Sequence, residues 1–174
     1  GARVTVAGVT TIDPGCWIYP DCDSFTGHPV VFDLQDLTVA ATGGFDATQR
    51  GWGYMNFGPR IPPAPNYHER IIPNFWVTPA PGWGMDYSIG AGHGGRGGSY
   101  STLRGRGLAY GSAYAPFYPG SPNGIYNNVF DYYHRGGGAI RILARGVALD
   151  GSLKADAGPQ SHYGGSSGGG IWLT

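Results

Sequence analysis

The residues that usually build the polar faces of helices are nearly missing from this chain. In 174 residues there is one Lys (Lys154), one Glu (Glu69) and three Gln. Without them intrinsic helix propensity is low. No window of useful length shows a 3.6-residue apolar period free of Gly or Pro. Helix is therefore nearly excluded, and an all-β fold with long irregular loops is expected. Charge imbalance is missing as well: 11 Lys and Arg balance 11 Asp and Glu, and the pI is near 7.1. This removes the electrostatic footprint of a nucleic-acid binder. It also removes the self-repulsion that keeps copies apart. No apolar run is long enough to span a membrane. Neither a signal peptide nor an initiator Met is present, so a mature form or an excised piece is expected. Every Asn lacks a following x-Ser/Thr, which argues against N-glycosylation. O-linked sugar on Ser, Thr or modified Pro stays open.

Cysteine is scarce. Cys16 and Cys22 are the two present, in Gly15-Cys-Trp-Ile-Tyr-Pro-Asp-Cys22. Two cysteines alone make no zinc site. A disulfide closing this small loop is the favoured expectation, and it implies an oxidising compartment. The alternative is a pair of reduced thiols in a cytosolic protein.

What the chain does have is glycine, proline and rings. There are 33 Gly and 14 Pro, a level that often signals disorder. Five Trp, twelve Tyr and seven Phe argue for order instead. Ten of the cations are Arg, which stacks on aromatic faces better than Lys does. Twice, a glycine run leads straight into a short apolar strand: Gly136-Gly-Gly-Ala-Ile-Arg-Ile-Leu143 and Gly164-Gly-Ser-Ser-Gly-Gly-Gly-Ile-Trp-Leu-Thr174. Such a pattern suits a chain that turns a corner against neighbouring backbone and then adds one layer to a stack.

Three segments echo one another: Ala2–Asp13, Leu37–Thr48 and Val147–Ala157. Each reads as a short alternating strand, a Gly-containing corner, a second strand and then an Asp. Successive coils of a parallel β-solenoid look like this. The long insertion at 49–135 is tolerated because loop closure grows slowly with length. It is proline-rich over 59–83 and then alternates Gly with Tyr, and is expected to wrap one face of a single domain spanning 1–174.

Several motifs point to chemistry and are outweighed. Gly90-Ala-Gly-His-Gly-Gly95 fits G-x-G-x-x-G but lacks the following helix that holds a pyrophosphate. Gly165-Ser-Ser-Gly-Gly169 fits G-x-S-x-G but lacks a helix and a later acid and His. Arg96-Gly-Gly, Arg104-Gly-Arg106-Gly and Arg135-Gly-Gly-Gly resemble RNA-binding boxes in a chain without net charge. His28, His68, His93, His134 and His162 include no H-x-x-x-H pair. Asp33, Asp36, Asp46 and Asp131 could cluster as in solenoid lyases, with turn-capping as the ordinary role. No catalytic residue, cofactor or metal ligand is assigned.

The ordered series Leu37-Thr-Val…Asp46-Ala-Thr, Gly90-Ala-Gly-His-Gly-Gly-Arg-Gly-Gly98, Ala109-Tyr-Gly-Ser112…Pro119-Gly-Ser121, Gly136-Gly-Gly-Ala-Ile-Arg-Ile142, Gly151-Ser-Leu-Lys-Ala-Asp156 and Gly168-Gly-Gly-Ile-Trp-Leu173 resembles glycine-rich repeats of very large secreted or cell-surface microbial proteins. The resemblance covers residues 37–173 and departs at 59–81 and 123–135. It implies a parallel β-solenoid and carries over no catalytic residue.

The expectation that follows is an extracellular structural protein. Its copies stack end to end as repeats of one chain or as subunits of a filament. Solenoid ends need polar caps, and none is visible here. Val4 and Val6 at one end and Ile171, Trp172 and Leu173 at the other would form the stacking interface. The partner is then the protein itself, with surface polysaccharide or O-linked glycans as further partners. The alternative is an extracellular solenoid that binds or cleaves carbohydrate, with Trp17, Trp52, Trp76 and Trp83 as glycan contacts.

Overall fold

A computed structural model describes residues 1–23, 26–52, 55–56, 76–77, 80–83, 89–98, 106–123, 135–158 and 164–174, with backbone alone for 55–56 and 76–77. All regular structure among the described residues is β; no helix occurs. The strands are β1 (Arg3–Ile12), β2 (Trp17–Ile18), β3 (Val31–Val39), β4 (Gly44–Asp46), β5 (Met55–Asn56), β6 (Trp76–Val77), β7 (Ala139–Leu149), β8 (Ser152–Lys154) and β9 (Gly170–Leu173).

They form two parallel sheets and one small antiparallel pair. The larger sheet has the order β1-β3-β7-β9 and the smaller β2-β4-β8, while β5 pairs with β6. In both parallel sheets the order follows the chain, so each pass lays a strand beside the previous one. The corners repeat too. Ala40 N–H donates to Ile12 O and Asp150 N–H to Val39 O, each at 2.9 Å. Beyond the corner, Gly44 N–H donates to Cys16 O and Ser152 N–H to Gly43 O, each at 3.0 Å.

Inward side chains line up in columns across the layers. Val4, Phe32, Ile142 and Leu173 form one; Val6, Leu34 and Ala144 a second; Thr10, Leu37 and Val147 a third; Ile12, Val39 and Leu149 a fourth. Ile18, Phe45 and Leu153 line the smaller sheet. The core forms where the two sheets meet, with Phe32 edge-on to Phe45 at 5.1 Å. Alternation puts every second residue inside, so the apolar set of each strand is buried together.

Two of the three sequence echoes stack as read: Leu37 stands beside Val147 and Phe45 beside Leu153. The first is out of step. The likeness sets Ala2 beside Leu37, whereas the register partner of Leu37 is Thr10, eight residues farther on; the bulge between Val6 and Val9 shifts the strand by one residue only. An alternating Val/Thr strand looks alike at several offsets, so likeness between sequences misplaces the register.

The described part of the 49–135 insertion is held mainly through its backbone. Gly92 N–H donates to Gly82 O (2.7 Å), Gly97 N–H to Gly107 O (3.0 Å), Ala91 N–H to Gly165 O (2.9 Å) and Gly120 N–H to Gly137 O (2.7 Å). These chains approach so closely that side chains are excluded. A methyl at Gly97 would overlap the Gly90 carbonyl, and one at Gly137 the Ala155 carbonyl. Of the glycines in the apparent dinucleotide motif, Gly92 serves packing in this way, since a methyl there would overlap the Leu108 carbonyl, whereas one at Gly95 would meet nothing within 4 Å. Most of the proline-rich stretch 59–83 lies outside the described residues.

The expected disulfide is absent: Cys16 and Cys22 are free thiols. Cys16 sits exposed at the corner ahead of β2, and the extended β2 carries the chain away from it before Cys22. Cys22 is buried, and its sulfur accepts the Ala139 N–H at 3.2 Å. Burial pushes its pKa up to about 11, against the opposing effect of that hydrogen bond.

Candidate functional site

Among the described residues, the outermost strands of the larger sheet, β1 and β9, each pair on one side only. Inward columns that are closed in the middle of the stack open at these edges. Val4, Val6, Ile171 and Leu173 are 42, 36, 37 and 37 % exposed. Their column neighbours Phe32, Leu34, Ile140 and Ile142 are 8, 4, 0 and 0 % exposed. The same kind of residue in the same column thus changes from core to surface in one layer. Open edges of this type offer unpaired backbone groups together with apolar side chains.

β9 covers only Ala139–Ile142 of β7. Val147 and Leu149, farther along the same strand, are exposed on that end.

An aromatic ladder stands outside the sheet beside β9. Phe117 stacks on Tyr118 (4.7 Å between ring centres) and on Trp172 (5.2 Å). The Arg141 guanidinium lies 5.0 Å from the Phe117 ring and 4.8 Å from that of Trp172. Arg141 and Trp172 are register partners on the outward side of β7 and β9. This contact fixes the last strand on the stack. Of the expected interface set, Trp172 therefore points outward into the ladder, while Ile171 and Leu173 occupy positions next to Ile140 and Ile142.

The ladder residues Phe117, Tyr118 and Arg141 were not singled out from sequence. The alternation Ile140-Arg141-Ile142 carries a signal for Arg141, since an arginine between two buried isoleucines must face out. Phe117 and Tyr118 come from an irregular segment and carry none.

The tryptophans expected to contact glycans do not gather. Trp17 lies against Gly44 with the Lys154 ammonium 4.4 Å from its ring centre. Trp52 is buried, packed against Gly27, with an unpartnered indole N–H. Trp83 is half-buried and donates its backbone N–H to Ala80 O at 3.4 Å. The side chain of Trp76 lies outside the described residues.

The aspartates are spread likewise. Asp33 on β3 pairs with Arg3, and Asp36 faces Gly146. Asp46 accepts the Thr48 N–H at 2.9 Å. Burial tends to raise the Asp46 pKa, but the Thr48 hydrogen bonds and the nearby Lys154 and Arg50 charges outweigh it and hold it below the usual value. Asp131 lies outside the described residues. No group of three His, Cys, Asp or Glu positioned for a metal occurs among the described residues.

A polar cluster holds the glycine chains together. Ser121 is buried; it accepts the Gly82 N–H at 3.2 Å and donates to the Tyr110 hydroxyl at 2.9 Å. Tyr110 in turn donates to Pro119 O. Burial pushes the Tyr110 pKa up to about 12 against the hydrogen bonds from Ser121 and Ser167. His93 stacks on Tyr110 at 4.8 Å and donates Nδ1–H to Gly168 O at 2.7 Å. These groups tie residues 89–98 and 106–123 to 164–170.

No family model, curated protein or solved structure matches this chain. No helix among the described residues is long and apolar enough to cross a membrane.

Proposed function

We propose that this chain is a structural protein whose parallel sheets are coils of a β-solenoid, and that its copies stack end to end into an extracellular filament or cell-surface fibre. The observation that carries the reading is the opening of the inward columns at Val4, Val6, Ile171 and Leu173. Fully burying an aliphatic side chain of this size contributes about 1.5–3 kcal/mol. Closing several on one face gives stacking a substantial drive. Contacts that repeat head to tail without closing into a ring produce open fibres.

The balanced charge of 11 cations and 11 anions supports association. The resemblance to glycine-rich repeats of very large secreted or surface proteins supports the extracellular setting. The free thiols withdraw the argument from a disulfide. The carbohydrate reading is less favoured, because each described tryptophan is engaged by its own neighbours.

Electron microscopy of the purified chain tests the proposal. Unbranched filaments whose axial repeat is a multiple of about 4.8 Å are expected. Discrete particles at every concentration would overturn it.

A further inference from the structure

The corner between β1 and β2 is a tight turn, Asp13-Pro14-Gly15-Cys16. Cys16 N–H donates to Asp13 O at 3.0 Å, and Gly15 has a φ of 75°. This is a type II turn, whose second position suits proline and whose left-handed third position suits glycine. The next coil clamps it. Gly15 N–H donates to Thr42 Oγ1 at 3.1 Å, and Gly44 N–H to Cys16 O at 3.0 Å. Gly43 lies so close that a Cβ there would stand 2.6 Å from Asp13 O and 2.9 Å from Cys16 O.

The Asp13 side chain has no such tie. It is exposed, and its carboxylate makes no hydrogen bond or ion pair among the described residues. Asp21 and Asp33, by contrast, pair with arginines, and Asp23 and Asp46 accept backbone N–H groups. Residues 13 and 14 also form the one Asp–Pro bond in the sequence. The Pro14 nitrogen bears no hydrogen. With three carbon substituents it takes up a proton, and leaves, more readily than an ordinary amide nitrogen.

We propose that Asp13–Pro14 is a self-cleavage site, at which the Asp13 carboxyl cuts its own peptide bond within the folded corner in mild acid. A carboxyl oxygen of Asp13 adds to that residue's main-chain carbonyl carbon. The carboxyl proton passes to the Pro14 nitrogen, and the C–N bond breaks. A five-membered cyclic anhydride is left on Asp13 and a secondary amine on Pro14. Water then opens the anhydride, so one water is consumed overall. The corner favours the addition. Negative charge develops on Asp13 O, where Cys16 N–H already donates. The clamped turn fixes the carbonyl while the carboxyl stays free to reach it.

Asp150 gives the contrast within the same molecule. It follows Leu149, which shares a column with Ile12, so it stands at the equivalent corner two coils on. Its following residue is Gly151, an ordinary amide, and that bond holds. The cut at Asp13 falls between β1 and β2. β1 stays paired with β3 at eight register positions. The coil therefore loses its covalent continuity and keeps its packing.

The full chain, held at the lowest pH that leaves its circular dichroism native, tests the proposal against the same chain unfolded in urea at that pH. Intact mass under denaturing conditions should show one fragment that ends at Asp13 and one that begins at Pro14. The two should co-elute in native gel filtration. The folded chain should cleave about tenfold faster or more than the unfolded one. Asp13→Ala and Pro14→Ala should each stop the cut, and Asp150→Ala should leave it unchanged. No cleavage, or cleavage no faster than in urea, overturns the proposal, because the bond then has only the lability of any Asp–Pro sequence. Cleavage that persists in Asp13→Ala overturns the carboxyl as the nucleophile.

Discussion

The parallel sheets and the glycine chains are built on opposite principles. In the sheets, side chains do the packing: Phe32, Leu34, Phe45, Ile140 and Ile142 fill the space between layers. In the glycine chains, the absence of side chains does it: backbone lies on backbone through bonds such as Gly120 N–H to Gly137 O at 2.7 Å. One region loses stability when atoms are removed, the other when atoms are added. The difference shows at the edge strands too. Side-chain columns end there in partly exposed residues, Val4, Val6, Ile171 and Leu173. Glycine chains close their hydrogen bonds locally, and a polar cluster around Tyr110, Ser121 and Ser167 seals them.

The largest effect is expected from Phe45→Ala. Phe45 is fully buried and meets Phe32 edge-on at 5.1 Å. Truncation leaves a cavity where the sheets join, costing about 3–5 kcal/mol. Chemical denaturation should show a lower midpoint with little change in slope; an unchanged midpoint would mean the sheets do not share this core.

Adding one methyl sharpens the contrast. Gly97→Ala drives the new group into the Gly90 carbonyl, and overpacking of this kind costs about 1–3 kcal/mol. Gly8→Ala on β1 meets nothing within 4 Å. There the same change is expected to stabilise by about 0.4–1 kcal/mol, by limiting the unfolded chain. Equal shifts in melting temperature for the two variants would erase the distinction between the regions.

How much of this was legible follows the same division. Side-chain packing leaves a pattern in sequence. The alternation in Leu37–Val39 and Val147–Leu149 foretold stacked parallel strands, and those segments are in register. The first coil was misaligned because the Val/Thr alternation of β1 looks alike at several offsets. Backbone packing leaves only a glycine count, which shows that chains approach closely but not which ones meet. Cys16 and Cys22 misled because nearness in sequence stood in for nearness in space, across a β2 that holds them apart.

Alkaline pH separates the regions by titration. Cys22, hydrogen-bonded by Ala139 of β7, is raised from 9.0 to about 11, and Tyr110 among the glycine chains from 10.0 to about 12. A raised folded pKa means stability that is present below the unfolded value and lost as pH rises through the folded one. Loss of about 3 kcal/mol at most from each group is expected, beginning near pH 9 for Cys22 and near pH 10 for Tyr110, since each unit is worth about 1.4 kcal/mol. In Tyr110→Phe the later loss should vanish and the earlier one persist in stability measured against pH. Loss of both together would show that the two regions titrate as one.

The smallest effect concerns Lys154. Its ammonium lies 4.4 Å from the Trp17 ring centre, on the outer side of the smaller sheet. Trp17 is half-buried and also rests against Gly44. A partly solvated cation–π contact of this kind is worth about 0.5–1 kcal/mol. Lys154 also helps hold Asp46 ionised. Lys154→Met keeps the aliphatic stem against the ring and removes both electrostatic effects. The expected loss is therefore below about 1 kcal/mol near neutral pH. It should shrink further in acid, as protonation of Asp46 removes its interaction with the cation. A loss as large as that of Phe45→Ala would mean that the corner between the sheets, rather than the columns within them, sets the stability of the stack.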